Sequence, residues 1–363
     1  LVLRSLADGK ETKVENAGSF RFLKTGPLVY RRTPAEGSKD NAAEMGLIVP
    51  ATGETLVLPG VTDWAANKAD DLLAVATSTD RQTRSVVPLD PAIRTLRPLT
   101  SGSDDVDGLV FAEKADVLAY LLGKETAGKA GEDNRIVVAT DLRTAPKLRT
   151  LEPQKAANFP KGERVVDAAG LELSKDGTAV RFGIGKWRPA TKPDPLASNV
   201  EIWNTADLLT PPQQRVNAPR DADAASTAIW RLDAPTFRIV DKALETTVVG
   251  GLETGRALVN DETPYRKAAS DGLRRYDVKL RDVFGDAPDV VLATGLLAPG
   301  RISPTGKYVL TFDSGRWTVY DGRTGATLAR TPGGFGDERD DHTVPQKPPA
   351  GAPFWLKDDD GFL

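Results

Sequence analysis

The feature that most constrains this chain is one recurring unit: alternating apolar residues, a tight turn, then a short apolar run. It begins at 20 (FRFLKTGPLVYRR), 64 (WAANKADDLLAVAT), 109 (LVFAEKADVLAYLL), 171 (LELSKDGTAVRFGI), 248 (VVGGLETGRALVND), 301 (RISPTGKYVLTF) and 354 (FWLKDDDGFL). Those starts lie 44, 45, 62, 77, 53 and 53 residues apart. A second hairpin follows each start, as in MGLIVPATGETLVL, NRIVVATDLRTAPKLRTL, NVEIWNTADLLTPPQQ and RYDVKLRDVFGDAPDVVLA. Every run is too short for a helix, and each is bounded by Gly, Asp, Asn or Pro, so the units read as strand–turn–strand. No helical periodicity is sustained over the ~11 residues a helix needs. A repeat of 40–50 residues carrying four strands predicts an all-β fold, a β-propeller of four-stranded blades. The alternative, a two-sheet sandwich, would not repeat one two-hairpin unit so many times.

Residues 20–330 hold six complete units. The opening LVLRSLADGKETKV reads as the outer hairpin of a further blade, and the closing APFWLKDDDGFL as an inner hairpin. Seven blades are expected if these halves pair; if they are cut edges, the parent has eight. An unpaired edge would expose backbone donors and acceptors. Residues 1–363 are therefore expected to be a single propeller domain. The chain opens without Met and its sole Met is Met45, which suggests a piece excised from a longer protein.

Strand direction sorts the loops onto two faces. The turns between strands one and two and between three and four are short: Lys175-Asp176-Gly177, Pro304-Thr305-Gly306, Ala51-Thr52-Gly53, Asp321-Gly322-Arg323. The long insertions fall on the opposite face: RRTPAEGSKDNAAE, GKETAGKAGEDN, KWRPATKPDPLASN and TPYRKAASDGLRR between strands two and three, with EPQKAANFPKGER and TPGGFGDERDDHTVPQKPPAGAP between blades. Loops on a rigid scaffold carry function, so this elaborate face is expected to meet partners. Its candidate contact residues are Trp187, Arg188, Tyr265, Arg266 and His342. Trp187 and Tyr265 are large and sit beside cations, as interface anchors do; packing against their own blade is the competing reading. The stretch 205–240 is the least regular and is expected to hold an outer strand, a loop and an extra strand, TAIWRL.

Composition excludes several classes. Gly and Pro total 59 (33 and 26), which fits a turn-rich chain. There is no Cys, which removes disulfides, thiolate catalysis and Cys-ligated zinc. The net charge is −3 with basic and acidic residues interleaved, so no nucleic-acid footprint appears. No stretch approaches the ~20 apolar residues of a membrane helix. The single His, His342, lies among acids in a Pro-rich loop, so a Ser–His–Asp triad within the chain is not expected. No G-x-S-x-G, Walker or dinucleotide motif occurs. The Asp-rich SGSDDVDG and KDDDG offer Ca²⁺-type ligands but match ordinary turn chemistry better. No catalytic, cofactor or metal residue is assigned.

Two segments resemble a known family. ISPTGKYVLTFDSGRWTVYDGRTGATL resembles the repeat of TolB-like and prolyl-oligopeptidase-type propellers, whose blades open S-P-D-G-K. LELSKDGTAVRFGIG…SNVEIWNTADLLTPPQQ is similar to a blade of bacterial peptidase S9 proteins through Ile202, Trp203, Asp207, Leu209, Pro212 and Gln213 or Gln214. The specific match covers about 45 residues, 171–214. The resemblance implies the propeller of an exported serine peptidase, periplasmic or extracellular. Its partners would be peptide substrate and an α/β-hydrolase domain of the same parent chain. The catalytic residues would belong to that domain. The paired-Glu segment of aminodipeptidases has no counterpart. Two other readings remain open: a free-standing TolB/WD-like binding scaffold, and a glycan-acting propeller enzyme, which calls for carboxylates on the innermost strands.

Overall fold

The computed structural model describes residues 1–37, 41–79, 83–190, 204, 207–244, 246–267, 274–337, 347–351, 353–356 and 359–362. It is nearly all β, built from antiparallel meanders in which each strand pairs with the next. The chain divides into two compact units. One comprises 1–160 and 170–180, the other 161–169 and 181–363.

The first unit opens with a hairpin of β1 (Val2–Arg4) and β2 (Glu11–Lys13). A continuous sheet follows: β3 (Ala17–Phe22), β4 (Leu28–Arg32), β5 (Ala43–Ile48), β6 (Thr55–Ala66), β7 (Leu73–Ser78), β8 (Arg84–Leu89) and β9 (Thr100–Gly102). Here β6 serves twice. Its first half pairs with β5 as the fourth strand of one meander, and its second half pairs with β7 as the first strand of the next. Gly60 is the pivot. Its φ is +68°, and a Cβ there would lie 2.3 Å from the Ser78 carbonyl oxygen, so only glycine allows the passage. A third meander joins β10 (Asp105–Phe111), β11 (Leu118–Glu125), β13 (Glu132–Thr140) and β14 (Lys147–Leu151); the two-residue β12 (Lys129–Ala130) lies in the β11–β13 turn.

The middle strands of these sheets are buried on both faces. Along β7, Leu73 and Val75 face a core with Val29, Met45 and Leu47. The alternate residues Leu72 and Ala74 face another core with Leu118, Tyr120 and Val137. β4 behaves the same way: Val29 enters one core while Leu28 and Tyr30 join Val14, Leu1 and Leu3 of the opening hairpin. This explains apolar runs such as LLAVA, since a sheet covered on both sides has no polar face to alternate with. Each fully buried aliphatic side chain contributes roughly 1.5–3 kcal/mol. The packing is close enough that Gly46 is required opposite Tyr30, where a Cβ would lie 2.1 Å from the ring.

Three more meanders follow along the chain; within them residues 170–180 belong to the first unit. The first pairs β15 (Glu163–Val166) with β17 (Ala179–Lys186), then β19 (Ala225–Arg231) and β20 (Arg238–Ile239). Its first strand is broken: a 3-10 turn, Asp167–Ala169, separates β15 from β16 (Glu172–Leu173), which also pairs with β17. After β17 come the two-residue β18 (Arg188–Pro189) and helix α1 (Pro211–Ala222). The second meander is β21 (Thr246–Gly250), β22 (Arg256–Asp261), β23 (Tyr276–Asp282) and β24 (Val290–Leu296). The third is β25 (Arg301–Ile302), β26 (Tyr308–Asp313), β27 (Arg316–Asp321) and β28 (Thr327–Arg330). Val309 and Tyr320 pack with Leu258, Val278 and Leu280, while Leu310, Phe312 and Trp317 take the other face with Trp355 and Phe362 of the closing hairpin.

Six four-stranded meanders thus stand among the described residues, with β1 paired to β2 at the start and Trp355 bridged to Phe362 at the end. Three expectations are corrected. GKETAGKAGEDN is mostly strand, paired out to Glu125 opposite Glu132, because its residues continue the β11–β13 ladder. TAIWRL is the third strand of its sheet, not an extra one. PPQQ opens a helix rather than ending a hairpin: Thr210 precedes Pro211 and Pro212 at the first helical positions, and Gln213 Oε1 accepts from the Thr210 backbone N–H at 3.0 Å. NVEIW, residues 199–203 with Ile202 and Trp203, lies outside the described residues.

Replacing Gly60 with Ala should destabilise the fold by about 2–3 kcal/mol, since it combines a positive φ with a backbone clash. A urea titration followed by circular dichroism reads this directly; an unchanged midpoint would contradict the pivot.

Candidate functional surface

The short turns hold a polar system of their own. In the turn of Ser174-Lys175-Asp176-Gly177-Thr178, Ser174 Oγ accepts the backbone N–H groups of Thr178 and Ala179, at 2.9 and 3.0 Å, and donates to Asp176 at 2.7 Å. That Ser174 bond is the leading reason the Asp176 carboxyl sits below its usual range. The equivalent turn at Ser303 has Thr305 where the acid should be. The missing carboxylate comes from the closing hairpin: Asp359 accepts Ser303 Oγ at 2.6 Å, the Thr305 N–H at 3.3 Å, and Thr305 Oγ1.

Asp70 plays the same part in the first unit. It accepts from Arg21 and from the Lys24 N–H at 3.3 Å, and its carbonyl accepts Thr25 Oγ1 at 3.0 Å. Both aspartates occupy the fourth position of their turns (NKADDL, LKDDDG), both have left-handed φ (59° and 62°), and both are buried. Each reaches back to the first turn of the preceding meander. Asp359 of KDDDG is therefore turn chemistry, but of a kind that ties neighbouring meanders.

Arg143, in the turn after β13, ties more. It meets Asp116 at 2.5 Å, Asp71 at 2.7 Å and Asp90 at 3.9 Å. Asn67 Nδ2 donates to both Asp71 (2.8 Å) and Asp116 (3.1 Å). The Asn67 amide, then Arg143, hold the Asp71 carboxyl below its usual range, and Asp116 and Asp71 raise Arg143 further. The side chains come from turns of two consecutive sheets.

Three of the insertion-face candidates, Trp187, Arg188 and Tyr265, have partners nearby in the chain. Trp187 follows β17; the Arg164 guanidinium lies 5.5 Å over its ring, and its N–H donates to the Gly162 carbonyl at 3.1 Å. Arg188 meets Asp223, just after α1, at 2.9 Å. Tyr265 ends a 3-10 turn (Thr263–Tyr265) after β22, and its hydroxyl donates to Asp277 at 2.6 Å; that bond raises its pKa. Arg266 is the next residue and is half-buried. His342 lies outside the described residues. The pairs Trp187–Arg188 and Tyr265–Arg266 sit at the same place in two successive sheets, after the second strand. Helix α1 stands in the first of these insertions and buries no residue.

Sequence reading missed a cleft at the insertion-face end of the second and third meanders. Arg84, Leu99, Thr100, Ser101, Gly102, Asp104, Leu122 and Arg135 line a space of about 320 Å³. The carboxylates of SGSDDVDG are taken up by arginines, Asp104 by Arg135 and Asp105 by Arg84, both at 2.5 Å. Beneath, the buried Tyr120 hydroxyl donates to Thr100 Oγ1 at 3.2 Å, and burial pushes its pKa up to about 12. Asp63 and Asp107 stand on the first strands of these same meanders. Burial, then the Asp107 charge, raise Asp63, but each carboxylate accepts the next residue's N–H at 2.8 Å. Among the described residues, no group of three or more His, Asp or Glu is placed to hold a metal, and no helix is long and apolar enough to cross a membrane.

No protein-family model matches the sequence, and no curated protein matches it. Solved structures do. The tricorn protease aligns over 88% of this chain and 31% of its own, with 10% identity and a TM-score of 0.37. An acylaminoacyl peptidase of Pyrococcus horikoshii aligns over 88% and 46%, with 9% identity and a TM-score of 0.38. The β-propeller domain of the Trilobed protease from Pyrococcus furiosus aligns over 89% and 87%, with 10% identity and a TM-score of 0.37. The chain spans about a third to a half of the first two proteins.

Asp359 gives a pH signature. Desolvation would raise its carboxyl, yet the bonds from Ser303 and Thr305 leave it below the usual range. A carboxyl depressed in the folded state stabilises above its unfolded pKa, about 4, and that stability is lost as pH falls through the folded value. Asp359→Asn should therefore lower Tm at pH 7 and fall less steeply than the parent below about pH 4. Thermal melts at half-unit steps from pH 7 to 3 read both; parallel curves would show that the carboxylate charge is not what holds the turn.

Proposed function

We propose that this chain is a non-catalytic β-propeller of the peptidase S9 type, seven-bladed, with the opening and closing hairpins completing the seventh blade. It gates or positions extended peptide for an α/β-hydrolase domain of the same parent chain, in an exported setting. The observation that carries the reading is the blade-opening turn at Ser174, whose hydroxyl and Asp176 satisfy the turn amides. It recurs at Ser303 with Asp359 supplying the acid. This is the structural content of the S-x-D-G signature by which the sequence resembles that family. A rigid ring of such sheets would select substrate by size, refusing folded chains without contacting the scissile bond.

A fluorophosphonate serine probe tests it. The 363-residue chain should remain unlabelled, and the product of the full reading frame should label at a Ser outside this chain. Labelling within residues 1–363 would overturn the non-catalytic assignment. An unlabelled full-frame product would favour the free-standing TolB-like binding scaffold instead.

A further inference from the structure

We infer that the cleft between β9 and the β11–β13 hairpin is a binding site for an extended peptide that ends in a free carboxylate. The inference goes beyond the peptidase reading, and a blank serine-probe result leaves it standing.

Three observations meet there. The first is charge. The lining carries two guanidinium groups, Arg84 and Arg135, against one carboxylate, Asp104. Arg84 uses Nε on Asp105 and donates from Nη1 to the Ser103 carbonyl at 3.2 Å, which fixes it at the wall with only 18% of its side chain exposed. Arg135 commits Nη2 to Asp104 and is 39% exposed. Its remaining nitrogens face no protein acceptor among the described residues. A planar guanidinium with free donors in a sheltered cleft suits a carboxylate, which it binds in two-pronged fashion.

The second is an open strand edge. β9 pairs with β8 through Gly102–Arg84, Ser101–Ser85 and Thr100–Val86, and among the described residues no other strand pairs with it. At Gly102 nothing lies within 4 Å of where a Cβ would stand, so no side chain covers the face of the strand at its end. Extended peptides add to such edges through main-chain hydrogen bonds, with alternate side chains entering pockets.

The third is the floor. Leu99 and Leu122 contribute apolar surface to a lining that also carries Thr100, Ser101 and the arginines. A volume of about 320 Å³ is small for a ligand site. It has room for a chain terminus with an aliphatic last residue, not for a folded partner. Together the edge, the floor and the arginines define direction: the peptide lies along β9 and its terminus points at Arg135.

The test is fluorescence anisotropy with an N-terminally fluorescein-labelled hexapeptide, Thr-Val-Thr-Val-Thr-Leu, as free acid and as C-terminal amide. The acid should bind at least about tenfold more tightly than the amide, the difference expected for a charge-assisted bidentate contact. Arg135→Gln should erase that difference and leave the amide unchanged. Gly102→Val, which adds bulk to the open face of β9 at the position paired with Arg84, should weaken both forms by a similar factor. Equal binding of acid and amide would overturn the carboxylate assignment. No binding of either at about 1 mM would overturn the site. Displacement of the acid by sodium acetate or inorganic phosphate alone, with Gly102→Val silent, would show a free-anion site and overturn the peptide.

Discussion

The structure depends on one constraint: a strand whose alternate side chains enter two different hydrophobic cores. Leu73 and Val75 serve one core while Leu72 and Ala74 serve the next, and Val309 and Leu310 do the same near the other end of the chain. A sheet of that kind has no solvent face. It is stable only when another layer covers each side, so the unit must repeat, and the first and last layers need caps. The opening hairpin meets that need with Leu1, Leu3 and Val14. The closing hairpin meets it with Trp355 and Phe362, whose rings lie 5.6 Å apart and extend an aromatic cluster through Trp317 and Phe312. Deleting a large side chain from such a cluster costs about 3–5 kcal/mol.

Strands committed to cores on both faces leave their ends for polar chemistry. That is where the carboxylates and arginines collect. In the short turns a buried acid replaces the backbone partners that a tight reversal leaves unsatisfied. Asp70 and Asp359 accept the cost of a left-handed backbone because the side chain then points back at the preceding turn. Their carboxylates make charge-assisted bonds, the stronger class, so each turn holds its neighbour as well as itself. Arg143 works on the same principle from the opposite charge, gathering acids from two sheets into one network. The buried polar residues within strands follow the rule too: Asn260 donates to the Gly300 carbonyl at 3.3 Å and accepts from its N–H at 2.7 Å, joining two sheets by their backbones.

Much of this was legible in the sequence, for a physical reason. Period-two burial and glycine-bearing turns are local properties, so the hairpins at 20, 64, 109, 171, 248, 301 and 354 could be read directly. What escaped depends on partners far along the chain. The Asp70 and Asp359 ties span 45 residues or more, and only the shared register of NKADDL and LKDDDG hinted at them. The Arg135–Asp104 and Arg84–Asp105 pairs were hidden because SGSDDVDG looks the same whether its acids bind amides, metal or arginine. Helix α1 escaped because PPQQRVNAPRDA has no apolar stripe; its signal was the Thr-Pro-Pro-Gln start, which was read as family likeness instead. The β11–β13 extension escaped because Gly, Lys and Glu are poor strand formers, and here pairing across the hairpin overrode propensity.

The same division of labour decides where a function can sit. The strand middles are spent on packing and the short turns on tying sheets together, so a ligand must use what neither needs. Two places qualify within the units. One is the set of insertions after second strands, where Trp187 and Tyr265 are held by Arg164 and Asp277, and helix α1 stands with no buried side. The other is a seam where the last strand of one sheet runs beside the middle strands of the next. At β9 that strand is only three residues long and ends in glycine, and a cleft of about 320 Å³ lies beside it. Arg84 and Arg135 then stand at the mouth with Asp104 and Asp105 as counter-charges on the crossing segment. A guanidinium already paired at one nitrogen is oriented without being saturated, which is the condition for recognising a second carboxylate at little further entropic cost.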